Sequence, residues 1–141
     1  MNNLDVVHVV DDDAFIRYGI ELLLTANGFV VETYSSAEEF LAAAPSENEG
    51  CVLTDLNMPG GMSGIDLLSE ISHRRLRWPV ILMTAQGTNS LREQANRLGA
   101  SDFLAKPFAP QTVLDAVRTA IRRRDGRVKG SSDRCPSHAN F

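Results

Sequence analysis

Residues 6–13 read VVHVVDDD, a run of mostly β-branched residues that ends in three carboxylates. The run lacks polar alternation, which indicates a strand covered on both faces, as in a parallel sheet. Four further short runs rich in apolar and β-branched residues follow along the chain: Phe29–Tyr34, Cys51–Thr54, Val80–Thr84 and Asp102–Ala105. The run that begins at Phe29 alternates more than the others and is therefore predicted to be an edge strand.

Between these runs, apolar residues recur with the spacing of amphipathic helices. Ile16, Ile20 and Leu23 form such a stripe in the first segment, and every later segment has its own. The hydroxyl side chains that precede three of the segments are predicted N-caps: Ser36, Ser63 and Ser90. Strands and helices alternate five times, which predicts an α/β fold, a flavodoxin-like doubly wound (βα)5 three-layer sandwich with parallel sheet order 2-1-3-4-5.

The chain has 141 residues, 43% of them hydrophobic, which suits one compact domain. The helical pattern fades near residue 123, so residues 1–123 are predicted to form the domain and residues 124–141 a basic, disordered tail or linker stub. Residues 1–121 carry 8 basic and 16 acidic side chains, a net charge of −8, whereas residues 122–141 carry 6 and 2, a net charge of +4. An acidic body argues against nucleic-acid binding by the domain.

Targeting signals and cysteine frameworks are not evident in the sequence. Its apolar runs fall well short of the about 20 residues that cross a bilayer, and Met1–Asp5 lacks the basic start of a signal peptide. Two cysteines, Cys51 and Cys135, make neither a disulfide framework nor a metal-binding cluster. The chain is therefore predicted to be cytoplasmic, with no membrane partner.

Polar side chains follow four of the five predicted strands. Asp11, Asp12 and Asp13 follow the first, Asp55 the third and Lys106 the fifth, while Thr84 ends the fourth. Doubly wound sheets bind ligands at the carboxyl ends of their strands, where the strand order reverses. Carboxylates without histidine or cysteine suit Mg²⁺, and a carboxylate can itself accept a phosphoryl group. A plainer interpretation of the acidic triplet is a helix N-cap with a favourable first turn.

Four motifs resemble those of bacterial two-component response-regulator receiver domains. They read VVDDD at residues 9–13, TDLNMP at 54–59, MTA at 83–85 and KPF at 106–108. The resemblance covers about residues 4–123 and is strongest to receivers that precede LuxR-like output domains, from NGF at 27–29 and SAEEF at 36–40. One departure is a loop at residues 59–64 that is one residue longer than the commonest family loop.

The resemblance implies a role for each matching residue. Asp55 would accept a phosphoryl group from a histidine kinase or a histidine phosphodonor protein, and Asp13 would be a bystander. The Mg²⁺ ligands would be the side chains of Asp11, Asp12 and Asp55 and the backbone carbonyl of Asn57. Thr84 and Lys106 would bind the phosphoryl oxygens, and Phe103, together with Thr84, would form the switch, turning inward when Asp55 is phosphorylated.

Two surfaces carry partner predictions. Phe15, Tyr18 and Leu22 form a second apolar face on the first helix, which either docks a kinase or phosphodonor helix or is covered by the last helix or the tail. A second face, made by the fourth helix, the fifth strand and the fifth helix, is predicted to form a phosphorylation-promoted homodimer through charged residues that include Arg92, Arg97, Asp102 and Arg118.

Three functions remain open at this point. The favoured one is a phosphoaccepting signalling switch that is not an enzyme beyond its own phosphorylation and dephosphorylation. The second is a Mg²⁺-dependent phosphatase or phosphotransferase with Asp55 as nucleophile, although Asn57 stands where such an enzyme needs a second carboxylate. The third is a phosphorylation-independent interaction module. The length leaves no room for an output domain, so the chain is either a stand-alone receiver or a receiver cut from a longer regulator.

Overall fold

The computed structural model describes residues 6–43, 50–74, 78–85 and 88–128. Strands and helices alternate along the chain. The strands are β1 (Val6–Val10), β2 (Val30–Tyr34), β3 (Gly50–Asp55), β4 (Val80–Thr84) and β5 (Asp102–Ala105). The helices are α1 (Ala14–Ala26), α2 (Ala37–Ala43), α3 (Gly64–His73), α4 (Asn89–Arg97) and α5 (Pro110–Val128).

The five strands form one parallel sheet in the order β2-β1-β3-β4-β5. All residues of β3 and β4 are buried, whereas burial in β2 alternates along the strand. These patterns match the positions of the strands, because central strands are covered by helices on both faces and β2 lies at the edge. The predicted fold class, strand order and edge strand are confirmed.

The two faces of the sheet support two separate apolar layers. Val7 and Val9 of β1 point into the layer under α1 and α5, which includes Leu24 and Val117. Val10 points into the opposite layer under α2, α3 and α4, where Phe40 and Leu67 are buried. His8, the neighbour of Val9, lies on this second side, with its ring between those of Tyr34 and Trp78. The period-two alternation of β1 therefore assigns each residue to one layer.

The predicted N-cap serines match the structure at two of the three helices, α2 and α3. Ser63 caps α3, accepting a hydrogen bond from the backbone N–H of Asp66, and Asp66 bonds back in a capping box. The prediction for Ser90 is wrong, because α4 begins two residues earlier and Thr88 is its N-cap, accepting from the N–H of Leu91 at 3.1 Å. Threonine caps helices nearly as well as serine, so the two residues compete for this role. Ser36 accepts from the N–H of Glu39 at 3.0 Å, at the start of α2.

The last helix is longer than the sequence pattern predicts. α5 continues past residue 123 to Val128, into the segment predicted to be a tail. The apolar stripe of this helix ends at Ile121, so hydrophobic periodicity does not predict the last turns. The rest of the predicted tail, residues 129–141, lies outside the described residues. None of the helices in the described part of the chain is both long and apolar enough to cross a membrane.

Candidate functional site

The polar residues predicted at the strand ends come together at one edge of the sheet. Asp11 follows β1, Asp55 ends β3, Thr84 ends β4 and Lys106 follows β5. Asp11, Asp55 and Thr84 are buried, and Asp12 is exposed beside them. The strand order reverses between β1 and β3, which is the switch point where doubly wound sheets bind ligands.

Hydrogen bonds fix both the backbone and the carboxylate of Asp11. Its backbone N–H donates to the carbonyl of Tyr34 at 3.1 Å, and its own carbonyl accepts from the guanidinium of Arg17 at 2.7 Å. Its Oδ1 accepts from the backbone N–H of Asp13 at 2.9 Å. Asp13 itself is the N-cap of α1, with its side chain accepting from the N–H groups of two residues of the first turn, which fits its predicted place outside the site.

Lys106 links the two buried carboxylates. Its Nζ donates to Oδ2 of Asp11 at 3.1 Å and lies 3.3 Å from Oδ1 of Asp55. The turn that carries Lys106 is anchored next to the site, since its backbone N–H donates to the carbonyl of Thr84 at 2.8 Å, and its bond to Pro107 is a cis peptide bond. The chain has only two lysines, and this one lies between the two carboxylates.

The carboxylates fit a divalent cation. Asp11, Asp12 and Asp55 each offer an oxygen, and these oxygens lie within 4.8 Å of one another. Three carboxylates and the Lys106 ammonium leave a formal charge of −2, which a divalent ion would neutralise. The donor set contains only oxygen, which suits Mg²⁺. The acidic cluster therefore meets the chemical requirements of the predicted magnesium site.

The two ionisable groups at the centre of the site have shifted pKa values. Burial, and then the charge of Asp11, raises the pKa of the Asp55 carboxyl, while Lys106 and the backbone N–H of Asn57 act in the opposite direction. Burial opposes the charge of Lys106, but the hydrogen bond and charge of Asp11, together with those of Asp55, outweigh it and raise the Lys106 pKa. Lys106 is therefore a permanent cation. An additional cation beside Asp55 would stabilise the ionised form of its carboxyl group.

Thr84 and Phe103, the predicted switch residues, both lie inside the protein. The hydroxyl of Thr84 accepts from Nδ2 of Asn57 at 3.4 Å, a long hydrogen bond. Phe103 is buried in the layer under α4, and the guanidinium carbon of Arg92 lies 4.9 Å from the centre of its ring. The ring of Phe103 thus lies inside the protein, and its predicted movement on phosphorylation of Asp55 stays a prediction.

Sequence reasoning missed two residues that shape the loop after Asp55. A Cβ atom on Gly64 would overlap the backbone carbonyl of Asp55, so only glycine lets α3 begin this close to the site. Glu38 of α2 reaches the same loop, and its Oε2 accepts from the backbone N–H of Met62 at 2.8 Å. The three glycines among residues 59–64 are a sequence signal for the first residue, but no local pattern identifies a contact between residues as distant in sequence as Glu38 and Met62.

The predicted docking and dimer residues lie on the surface. Phe15 is 87% exposed, Tyr18 59% and Leu22 53%, so the described part of α5 does not cover them. Beside this face an apolar groove of about 550 Å³ runs between α1 and the turn after β5, with Gly19, Lys106 and Phe108 among its lining residues. The residues of the predicted dimer face are all exposed: Arg92, Arg97, Asp102 and Arg118.

The fold and the site together define a class, the flavodoxin-like α/β proteins with an acidic site at the switch point. Within that class, residues 7–118 match the model of the response regulator receiver domain. The chain therefore belongs to the receiver-domain family of bacterial two-component signalling, and the resemblance seen in the sequence is confirmed.

Similar proteins include bacterial transcriptional regulators. The chain is 42% identical over 117 residues to the transcriptional regulatory protein FixJ of Azorhizobium caulinodans, covering 83% of this chain and 55% of FixJ. It is 40% identical over 119 residues to the transcriptional regulatory protein TdiR of Thauera aromatica, covering 84% of this chain and 52% of TdiR. The chain spans about half the length of these relatives.

A solved structure of a similar receiver supports the fold. The crystal structure of FixJ-N superimposes with a TM-score of 0.78 at 38% identity, covering 86% of this chain and 96% of that one.

Proposed function

We propose that this chain is a signalling switch that accepts a phosphoryl group on Asp55 from a phosphohistidine of a histidine kinase or a phosphodonor protein. The observation that carries the proposal is the position of Lys106, within 3.3 Å of both Asp55 and Asp11 at the switch point of the sheet. A carboxylate that lies beside a fixed cation, in a carboxylate cluster able to hold a divalent metal ion, is equipped for phosphoryl transfer, in which positioning and charge stabilisation dominate catalysis. The proposal includes a cytoplasmic location. Because the relatives FixJ and TdiR are named transcriptional regulatory proteins, it also includes a role in the control of transcription.

The transfer exchanges one bond to phosphorus for another. A carboxylate oxygen of Asp55 attacks the phosphorus of phosphohistidine, the P–N bond breaks, and its electron pair returns to the imidazole nitrogen, which then takes up a proton. The Lys106 ammonium and the Thr84 hydroxyl stabilise the charge on the phosphoryl oxygens. The raised pKa of Lys106 supports this role, because it keeps the side chain charged throughout.

Mg²⁺ is the cofactor that this function requires. The side chains of Asp11, Asp12 and Asp55 and the backbone carbonyl of Asn57 would hold the ion. When bound, it supplies positive charge that lets an anionic carboxylate approach an anionic phosphoryl group. The close approach of the three carboxylate oxygens and their formal excess of negative charge support this assignment.

The alternative functions have less support. A phosphatase or phosphotransferase with Asp55 as nucleophile needs a second carboxylate just beyond it, and Asn57 stands there, with its amide directed to Thr84. An interaction module that ignores phosphorylation has no need for a partly buried lysine between two buried carboxylates, an arrangement that costs desolvation free energy.

Docking of the phosphodonor is proposed at the exposed face of α1. Phe15, Tyr18 and Leu22 are three apolar residues on one side of a helix that begins beside the site, and a helix packed only against its own sheet does not need them there. The adjoining groove extends to Lys106, so a donor helix seated on this face brings its phosphohistidine towards Asp55. The same proposal includes weak, phosphorylation-promoted dimerisation through the predicted dimer face.

The experiment that tests the function is intact mass spectrometry after incubation with Mg²⁺ and a small phosphodonor. A switch gains one phosphoryl group per chain and keeps it for a measurable time. An enzyme would instead release phosphate in many turnovers without accumulating the adduct, and an interaction module would gain no mass. Any result other than one Mg²⁺-dependent phosphoryl group per chain would contradict the proposal.

A further inference from the structure

The loop between β3 and α3, residues 56–63, is tied to helix α2 by a contact that the proposed function does not use. Oε2 of Glu38 accepts a hydrogen bond from the backbone N–H of Met62 at 2.8 Å, across 24 positions of sequence. Because the acceptor is a carboxylate, this is a charge-assisted hydrogen bond, the stronger kind. We call this contact the Glu38 latch.

The loop backbone is shaped to receive the latch. A Cβ atom added to Gly61 would lie 2.9 Å from Oε2 of Glu38, closer than such atoms approach one another. Glycine at this position therefore leaves the space in which the carboxylate reaches the N–H of the next residue. Gly60 precedes it with a φ of 90°, a left-handed conformation that favours glycine. The longer loop of this chain thus has a defined path.

The ends of the same loop are fixed to the site. The backbone N–H of Gly64 donates to the carbonyl of Leu56 at 2.9 Å, which closes the base of the loop beside Asp55. Asn57, just inside the loop, donates its backbone N–H to the Asp55 carboxylate and its side-chain amide to Thr84. The latch holds the far part of the loop, so the path from Asn57 to Met62 is pinned at both ends.

A neighbouring carboxylate provides an internal comparison. Glu39 lies on the same turn of α2 and carries the same charge, but its Oε1 accepts from the backbone N–H and hydroxyl of Ser35, at 2.7 and 2.9 Å. Glu39 therefore stabilises the start of its own helix, whereas Glu38 reaches the loop. Replacement of either residue removes one negative charge from the same helix turn, but only replacement of Glu38 releases the loop.

We propose that Glu38 is a positioning residue that holds the β3–α3 loop so that Asn57 faces Asp55, and thereby strengthens Mg²⁺ binding at the acidic cluster. The inference rests on the proposed role of the Asn57 carbonyl as a magnesium ligand. Outer groups that orient metal ligands typically contribute about 10- to 100-fold to affinity. Glu38 acts through several loop residues and is exposed, so its contribution belongs at the low end of that range.

Titration calorimetry with Mg²⁺ on matched variants tests the latch. Glu38→Ala should weaken Mg²⁺ binding about tenfold, while Glu39→Ala should change it less than twofold. Glu38→Gln should keep most of the affinity, because its amide oxygen still accepts from Met62. Gly61→Ala should weaken Mg²⁺ binding as much as Glu38→Ala does. The double variant should bind Mg²⁺ no more weakly than either single variant, since both substitutions break the same contact.

A readout without metal accompanies the titration. The amide proton NMR signals of Met62 and Asn57 should move in Glu38→Ala and stay in place in Glu39→Ala. Equal weakening of Mg²⁺ binding in the Glu38→Ala and Glu39→Ala variants would overturn the positioning role, because the effect would then come from the lost charge alone. Loss of Mg²⁺ affinity in Glu38→Gln would overturn it for the same reason. Unchanged Mg²⁺ affinity in Glu38→Ala would overturn the positioning role of Glu38 but leave the proposed function intact. A wild-type chain that binds no Mg²⁺ would overturn both.

Discussion

At the scale of single residues, His8 couples stability to pH. It is 2% exposed, its ring stacks on that of Trp78 with centroids 5.0 Å apart, and its Nδ1 lies 3.0 Å from the Tyr34 hydroxyl. Its Nε2 has no hydrogen-bond partner among the described residues. Burial lowers the pKa of His8 to about 4, from 6.5 in the unfolded chain. The neutral ring is therefore the form that the folded chain stabilises.

The sign of the pH dependence follows from this shift. Between the two pKa values the unfolded chain binds more protons, so the free energy of unfolding decreases as the pH falls through this window. The His8 contribution to that loss is about 2 kcal/mol between about pH 7 and pH 5. Urea unfolding of wild type and His8→Phe at both pH values should show this extra loss only in wild type, because phenylalanine fills the aromatic layer without titrating. Equal losses in both proteins would contradict the assignment.

The site residues differ in how far sequence could predict them. Asp11, Asp55 and Lys106 were predictable because each ends or directly follows a strand, and parallel strands bring their ends to one edge of the sheet. The buried position of Phe103 was not, because it depends on packing under α4 and on a guanidinium from another element. The Glu38 latch was not predictable either, since it joins helix α2 to the β3–α3 loop through a contact that leaves no local periodicity.

At the scale of elements, α1 has one face for the sheet and one for a partner. Ile20 and Leu24 are buried against the sheet, whereas Phe15 and Tyr18 lie on the exposed side. Phe15→Ala should slow phosphoryl transfer from the cognate kinase about tenfold, the effect of losing about 1.4 kcal/mol of binding. Transfer from a small phosphodonor should be unchanged, because it needs no docking. Rates of phosphorylation with both donors measure the difference.

A matched control separates docking from general loss of apolar surface. Val30 of β2 is also an exposed apolar residue but lies on the edge strand rather than on α1. Val30→Ala should leave both rates unchanged. If Phe15→Ala slows transfer from both donors equally, the residue affects the site rather than docking, and the proposed docking face is refuted.

The elements themselves were largely predictable because their patterns are strong. Fully apolar runs become β3 and β4, buried on both faces, and the alternating run becomes the edge strand β2. Boundaries were less predictable, since they depend on which of several hydroxyl residues caps a helix, as Thr88 does instead of Ser90. The length of α5 was missed because its last turns continue without an apolar stripe.

At the scale of the whole molecule, the switch should alter self-association. The predicted dimer face carries exposed charges, including Arg97, Asp102 and Arg118, and surface ion pairs contribute only about 0 to 1 kcal/mol each. A dimer built on such pairs is weak, so we expect a monomer at rest and a dimer with beryllofluoride, a phosphoryl mimic. Sedimentation velocity at micromolar concentrations checks this. Identical monomer distributions in both states would mean that another protein reads the switch.

Phosphorylation of Asp55 is the central claim, and intact mass after incubation with Mg²⁺ and a small phosphodonor tests it most directly. Wild type should gain one phosphoryl group per chain, and removal of Mg²⁺ should prevent the gain. Asp55→Asn should remain folded and gain none, because the amide removes the nucleophile while its volume and place at the end of β3 are kept. Stoichiometric labelling of Asp55→Asn would contradict the account, because another residue would then be the acceptor.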